Sequence, residues 1–158
     1  VRPGEQAVEI ETAIGPIAAD ETAPDDAAGV PLLLLHAGVA DRRMWDPMMP
    51  GLGAIRRVVR VDQRGFGESP LPNAEFSWVD DIGLVMDALG IAQACLIGAS
   101  FGARNAIDFA LAQPDRVASL VLISPAISGF QSDAQLQGFG AREEALVEAG
   151  ELLSLIHI

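Results

Sequence analysis

"LIGASFGAR", Leu96 to Arg104, is the stretch on which the reading of this chain turns. Ser100 stands between Gly98 and Gly102, two positions away on either side. In a chain with 16 glycines such a pattern alone carries little information, so its surroundings decide. Before it, "AQACLIGAS" is a continuous apolar run, the mark of a strand buried on both faces. After it, "FGARNAIDFALAQPDR" has helical spacing and is closed by Pro114. A sharp strand-to-helix turn lifts a serine hydroxyl above a sheet, and small flanking residues relieve the crowding. The amide of Phe101 would then point from a helix N-terminus toward any oxyanion, where the helix dipole also favours negative charge. The competing reading of Ser100 is a small residue in a crowded turn with no chemistry.

Outward from this turn, four apolar runs read as central strands: "VPLLLLHAG", "IRRVVRVDQRG", the run just described, and "RVASLVLIS" from Arg116 to Ser124. Between the second and third lies "SWVDDIGLVMDALG". Here Ser77 caps a helix, Val79, Ile82, Val85, Met86 and Leu89 share a face, and Gly90 stops it. Strands alternating with helices of this length describe crossover units. The opening differs: "QAVEIETA" alternates apolar and polar residues, and "IAADETA" follows Gly15 and Pro16, so the two form a hairpin with one wet face. The expected class is α/β, a mostly parallel sheet flanked by helices with an N-terminal antiparallel hairpin. No internal repeat is visible. From about Phe130 the text turns polar and helix-prone, as at the start of an insertion or lid.

Three motifs occur in order. "LLHAGVADRRMW" resembles the strand and oxyanion loop of the α/β-hydrolase superfamily, "VDQRGFGES" resembles its D-x-R-G-x-G-x-S segment, and "LIGASFGA" resembles its nucleophile elbow. The resemblance covers Gln6 to Ser124. It implies a serine hydrolase of esters, lactones or related acyl compounds, with Ser100 as nucleophile and the amides of Gly38 and Phe101 as oxyanion hole. Many members read His-Gly where this chain reads His36-Ala37, so neighbouring amides stay in play. The superfamily order is serine, acid, histidine, which places the last two after later strands, beyond residue 124. His36 precedes the elbow and reads as a structural histidine. Asp62 and Arg64 read as loop-fixing residues, and Trp45 and Trp78 as core or loop anchors. The expected organisation is 1–124 as the N-terminal part of a hydrolase core, 125–151 as the start of a lid, and 152–158, "LLSLIHI" with the only other histidine, His157, as a non-native tail. On that expectation the chain is a fragment lacking its acid and base, inactive by itself, with "VASLVLIS" as an open apolar edge prone to aggregation.

Composition excludes several classes. With 22 acidic against 10 basic residues the net charge is −12, which repels nucleic acid and anionic membranes. No window reaches the apolar length of a membrane span, and "VRPGEQAVEI" is not a signal peptide, so a cytoplasmic location is the expectation. Two histidines and the lone Cys95, which lies in an apolar run, offer no zinc-type ligand set. No cofactor or metal is expected, and the partner is a small-molecule acyl substrate. Oligomeric state stays open. Two alternatives remain: the same fold with perhydrolase or carbon–carbon hydrolase chemistry, and a non-catalytic α/β domain.

Overall fold

The alternating opening segment pairs as expected: β1 (Glu5–Ile10) and β2 (Ile17–Thr22) run antiparallel, from Glu5 opposite Thr22 to Ile10 opposite Ile17. The computed structural model describes residues 5–24 and 26–128. Within them the four apolar runs become β3 (Leu32–Leu35), β4 (Val58–Val61), β5 (Ala94–Ala99) and β6 (Val117–Ile123). These four are mutually parallel where they pair, and β2 joins them antiparallel to β4. The sheet order is β1-β2-β4-β3-β5-β6. Thus the hairpin forms one edge, and β3 and β5 lie side by side near the middle.

Helices α1 (Met49–Gly53), α2 (Trp78–Ala88) and α3 (Phe101–Ala112), with two short 3-10 helices at Arg42–Trp45 and Pro114–Arg116, complete the described part. The Ser77 hydroxyl accepts the Asp80 amide at 3.2 Å, satisfying one of the donors that a helix start leaves open. Gly90, at φ 64, supplies the left-handed residue past the end of α2. Side chains of β3 alternate between the two faces of the sheet. Leu33 and Leu35 pack with Ile82, Val85, Met86, Ala106 and Phe109, the inner faces of α2 and α3. Leu34 packs on the other side with Trp45, Met49, Val58 and Ile97. A strand covered on both faces has no polar side to show, which is why "LLLL" is unbroken.

One residue departs from the apolar pattern of β4. Arg60 is buried, and it pairs with Glu5 at 2.8 Å, with Asp20 at 3.0 Å and with Asp46. Three carboxylates around one guanidinium offset the cost of taking it out of water. At the opposite edge β6 has no strand on its outer side among the described residues, and Val121, Leu122 and Ile123 are 37–45% exposed. The expected lid and tail lie, from residue 129 onward, outside the described residues.

Candidate functional site

All four parallel strands end at the same edge of the sheet, so the segments that follow them converge: His36 to Gly38 after β3, Asp62 to Ser69 after β4, Ser100 after β5, Ser124 after β6. This is the edge at which open α/β sheets carry ligands. Ser100 sits at φ 48, ψ −107, a conformation costing a non-glycine residue roughly 1–3 kcal/mol, and its side is exposed. It is pinned there. Its amide donates to Ile123 O at 2.9 Å and its carbonyl accepts the Arg104 amide at 3.0 Å.

The flanking glycines are required by contact. A Cβ on Gly98 would stand 2.5 Å from Ala103 Cα, and one on Gly102 would overlap the Leu35 carbonyl and lie 2.6 Å from His36 O. Backbone therefore passes against backbone where α3 leaves the sheet. Gly38 is tight but less so: a Cβ there would lie 3.3 Å from the Phe101 Cβ. Among the described residues, neither the Gly38 nor the Phe101 amide donates to another group. The structure thus brings Ser100, Phe101 and Gly38 together at one end of the sheet.

His36 is enclosed, with no exposed surface. Its Nδ1 lies 2.7 Å from Ala37 O and its Nε2 accepts the Gln63 amide at 3.0 Å. Those partners require the neutral ring with the proton on Nδ1. Burial pushes its pKa below the ordinary value, against the Ala37 hydrogen bond and the charges of Asp62 and Asp41. A ring engaged at both nitrogens is not a free base for Ser100.

Two residues that motif reading missed extend this contact. The Gln63 side chain donates to His36 O at 2.9 Å, and its oxygen accepts Asn105 Nδ2 at 2.7 Å. The loop after β3, the loop after β4 and helix α3 are therefore tied together beneath the elbow by buried amides. The signal was present but weak: Gln63 fills the variable position of D-x-R-G, and Asn105 is a polar residue on the face of α3 that carries Ala106 and Phe109.

Asp62 and Arg64 fix loops. The Asp62 carboxylate accepts the Arg42 amide at 2.7 Å and the Glu68 amide at 2.8 Å, and it pairs with the Arg42 guanidinium. Arg64 reaches Asp81 at 3.0 Å, Gly15 O at 3.1 Å and Thr12 Oγ1 at 2.6 Å. Burial raises the Asp81 pKa, and Arg64 opposes that shift. Trp45 is a core residue, and Trp78 donates Nε1 to Arg64 O at 2.9 Å. Its ring meets Phe101 edge-on at 5.0 Å, and Phe101 in turn lies 5.8 Å from Phe66. Aromatic contacts therefore hold the residue after Ser100 from two sides. Among the described residues no group of His, Cys, Asp or Glu is placed to hold a metal, and no helix is long and apolar enough to cross a membrane.

Comparison with known proteins gives the fold family. A family profile described as alpha/beta hydrolase fold matches residues 30–155. The 2-hydroxymuconate semialdehyde hydrolase of Pseudomonas sp. (strain CF600) is 37% identical over 138 residues, covering 83% of this chain and 49% of that protein. Carboxylesterase YbfK of Bacillus subtilis (strain 168) is 32% identical over 128 residues, covering 77% and 42%. The crystal structure of naproxen esterase from Bacillus subtilis superposes with a TM-score of 0.75 at 26% identity, covering 88% of this chain and 50% of that one. The chain spans about half the length of these relatives.

Proposed function

Because this chain belongs to the α/β-hydrolase fold family, we propose that it carries the nucleophile half of a serine hydrolase acting on an ester, lactone or related acyl compound. The observation that carries this reading is Ser100 itself: an exposed hydroxyl on a strained strand-to-helix turn, with two unengaged amides beside it. Backbone strain at an exposed polar residue points to function because folding gains nothing from it. In this reading Ser100 Oγ attacks the acyl carbon, and the carbonyl oxygen, becoming an oxyanion, accepts hydrogen bonds from Phe101 N–H and Gly38 N–H. The start of α3 adds its positive dipole end. The hydroxyl proton needs an acceptor, and His36 is occupied at both nitrogens. That base, with the acid that orients it, comes from outside the described residues. No step calls for a metal or cofactor, and the partner is a small acyl compound.

Labelling with a fluorophosphonate, located by peptide mass spectrometry, tests the assignment. In a chain that includes the base, the expected result is a single adduct on Ser100 that Ser100→Ala abolishes; such a chain, folded, that stays unlabelled or is labelled elsewhere rejects the assignment. A second reading, hydrolysis of a carbon–carbon bond, is favoured by the similarity to the Pseudomonas semialdehyde hydrolase. Turnover of an aryl ester compared with turnover of 2-hydroxymuconate semialdehyde separates the two.

A further inference from the structure

Among the described arginines, one lacks a partner. Arg42, Arg43, Arg57, Arg60, Arg64 and Arg116 each reach a carboxylate, and Arg56 reaches the Ala28 carbonyl. Arg104 reaches neither, and its Nε is shut off from solvent with no acceptor. In a chain with 22 acidic and 10 basic residues, chance favours the opposite outcome. Only the Nε is sealed; the residue as a whole is half-buried and its terminal nitrogens keep access to solvent, so the guanidinium stands open to an anion that the described residues do not supply.

The place of this cation matters. Arg104 lies on α3 four residues past Ser100, and its amide donates to the Ser100 carbonyl. Its guanidinium sits over the Phe101 ring, 4.9 Å from the centroid. The ring covers one face of the guanidinium and holds it in place. It satisfies none of the N–H groups, because all five lie in the guanidinium plane. Phe101 also supplies one of the amides beside Ser100, so the unpaired cation is packed on the residue that would line the reacting carbonyl.

We propose that Arg104 binds a carboxylate of the substrate, and that the site selects acyl compounds carrying a second, anionic group. This rests on Ser100 being the nucleophile. A planar carboxylate matches the fork of the guanidinium, and no carboxylate among the described residues reaches it. Arg104 is thus a specificity-determining residue, set one helical turn from the bond that breaks.

The test compares two aryl esters, mono-p-nitrophenyl glutarate and the neutral p-nitrophenyl 5-methylhexanoate. Each transfers its acyl group to Ser100 Oγ, releasing p-nitrophenolate, with the serine proton lost to buffer; the adduct is read by intact-protein mass spectrometry. The expected result is a preference of about tenfold or more for the anionic ester, in keeping with a charge-assisted hydrogen bond. In Arg104→Gln the ratio should fall toward one. Equal rates with the unaltered chain, or a preference that survives Arg104→Gln, overturns the proposal. A second measurement needs no chemistry at Ser100: the Arg104 Nε–H signal of the ¹⁵N-labelled chain is followed during titration with hexanoate and with hexanamide. A saturable shift with hexanoate alone supports the anion site, and no shift overturns it. If both esters and the fluorophosphonate leave Ser100 untouched while hexanoate still binds, the nucleophile reading has failed and the anion site has not.

Discussion

At the scale of single residues, the site is built from groups whose alternatives are closed off. Ser100 is held at positive φ by hydrogen bonds on both sides of its peptide, so the hydroxyl faces outward without support from its own side chain. His36 shows the reverse: its polar ring is buried, joins Ala37 to Gln63 through its nitrogens, and packs edge-on against Phe66 at 5.1 Å. This has a consequence for pH. The folded His36 titrates below its ordinary value of about 6.5, so as pH falls the unfolded chain takes up the proton first. Its contribution to stability is complete above about pH 6.5 and is lost as pH falls below that toward the folded pKa. Urea midpoints at pH 7 and pH 5 should therefore drop less in His36→Gln, which can still bridge the two amide groups, than in the unaltered chain. Equal drops would remove His36 from the account.

At the scale of elements, the junction of β5 and α3 depends on backbone approach and not on side-chain packing. Gly98 lies against Ala103, and Gly102 lies against the carbonyls of Leu35 and His36. A methyl group at residue 102 has nowhere to go unless α3 moves off β3, and that same movement would separate Phe101 from Gly38. Gly102→Ala should cost roughly 1–3 kcal/mol, the usual range for overpacking, measured by urea denaturation. It should also slow fluorophosphonate labelling of Ser100. An unchanged midpoint would mean that the helix is free to shift. The glycine spacing was legible beforehand because only so close an approach needs it. The tie from Gln63 to Asn105 was not, because the two are 42 positions apart and meet only when the sheet has formed.

At the scale of the whole molecule, the hairpin covers one edge of the sheet, while β6 ends the other among the described residues. An edge with apolar side chains such as Val121 and Ile123 invites pairing with another chain. Placing a charge there should oppose it: Val121→Lys is expected to raise the monomeric fraction of the chain on size-exclusion chromatography with light scattering. No change would show that β6 is not the contact. Local patterning determined the class of this molecule. A run of leucines buried on two faces, helical spacing closed by proline, and an alternating first segment each have one favourable solution, and together they specify a parallel sheet with a hairpin. The elbow was equally local, being a turn within nine consecutive residues. What only the folded chain decided were relations between distant segments. Arg60 is buried because Glu5, Asp20 and Asp46 surround it, His36 is silent because Gln63 and Ala37 occupy it, and Arg104 stands unpaired beside Phe101. A charge's surroundings come from chain segments remote in order, so its protonation and its partners are properties of the fold.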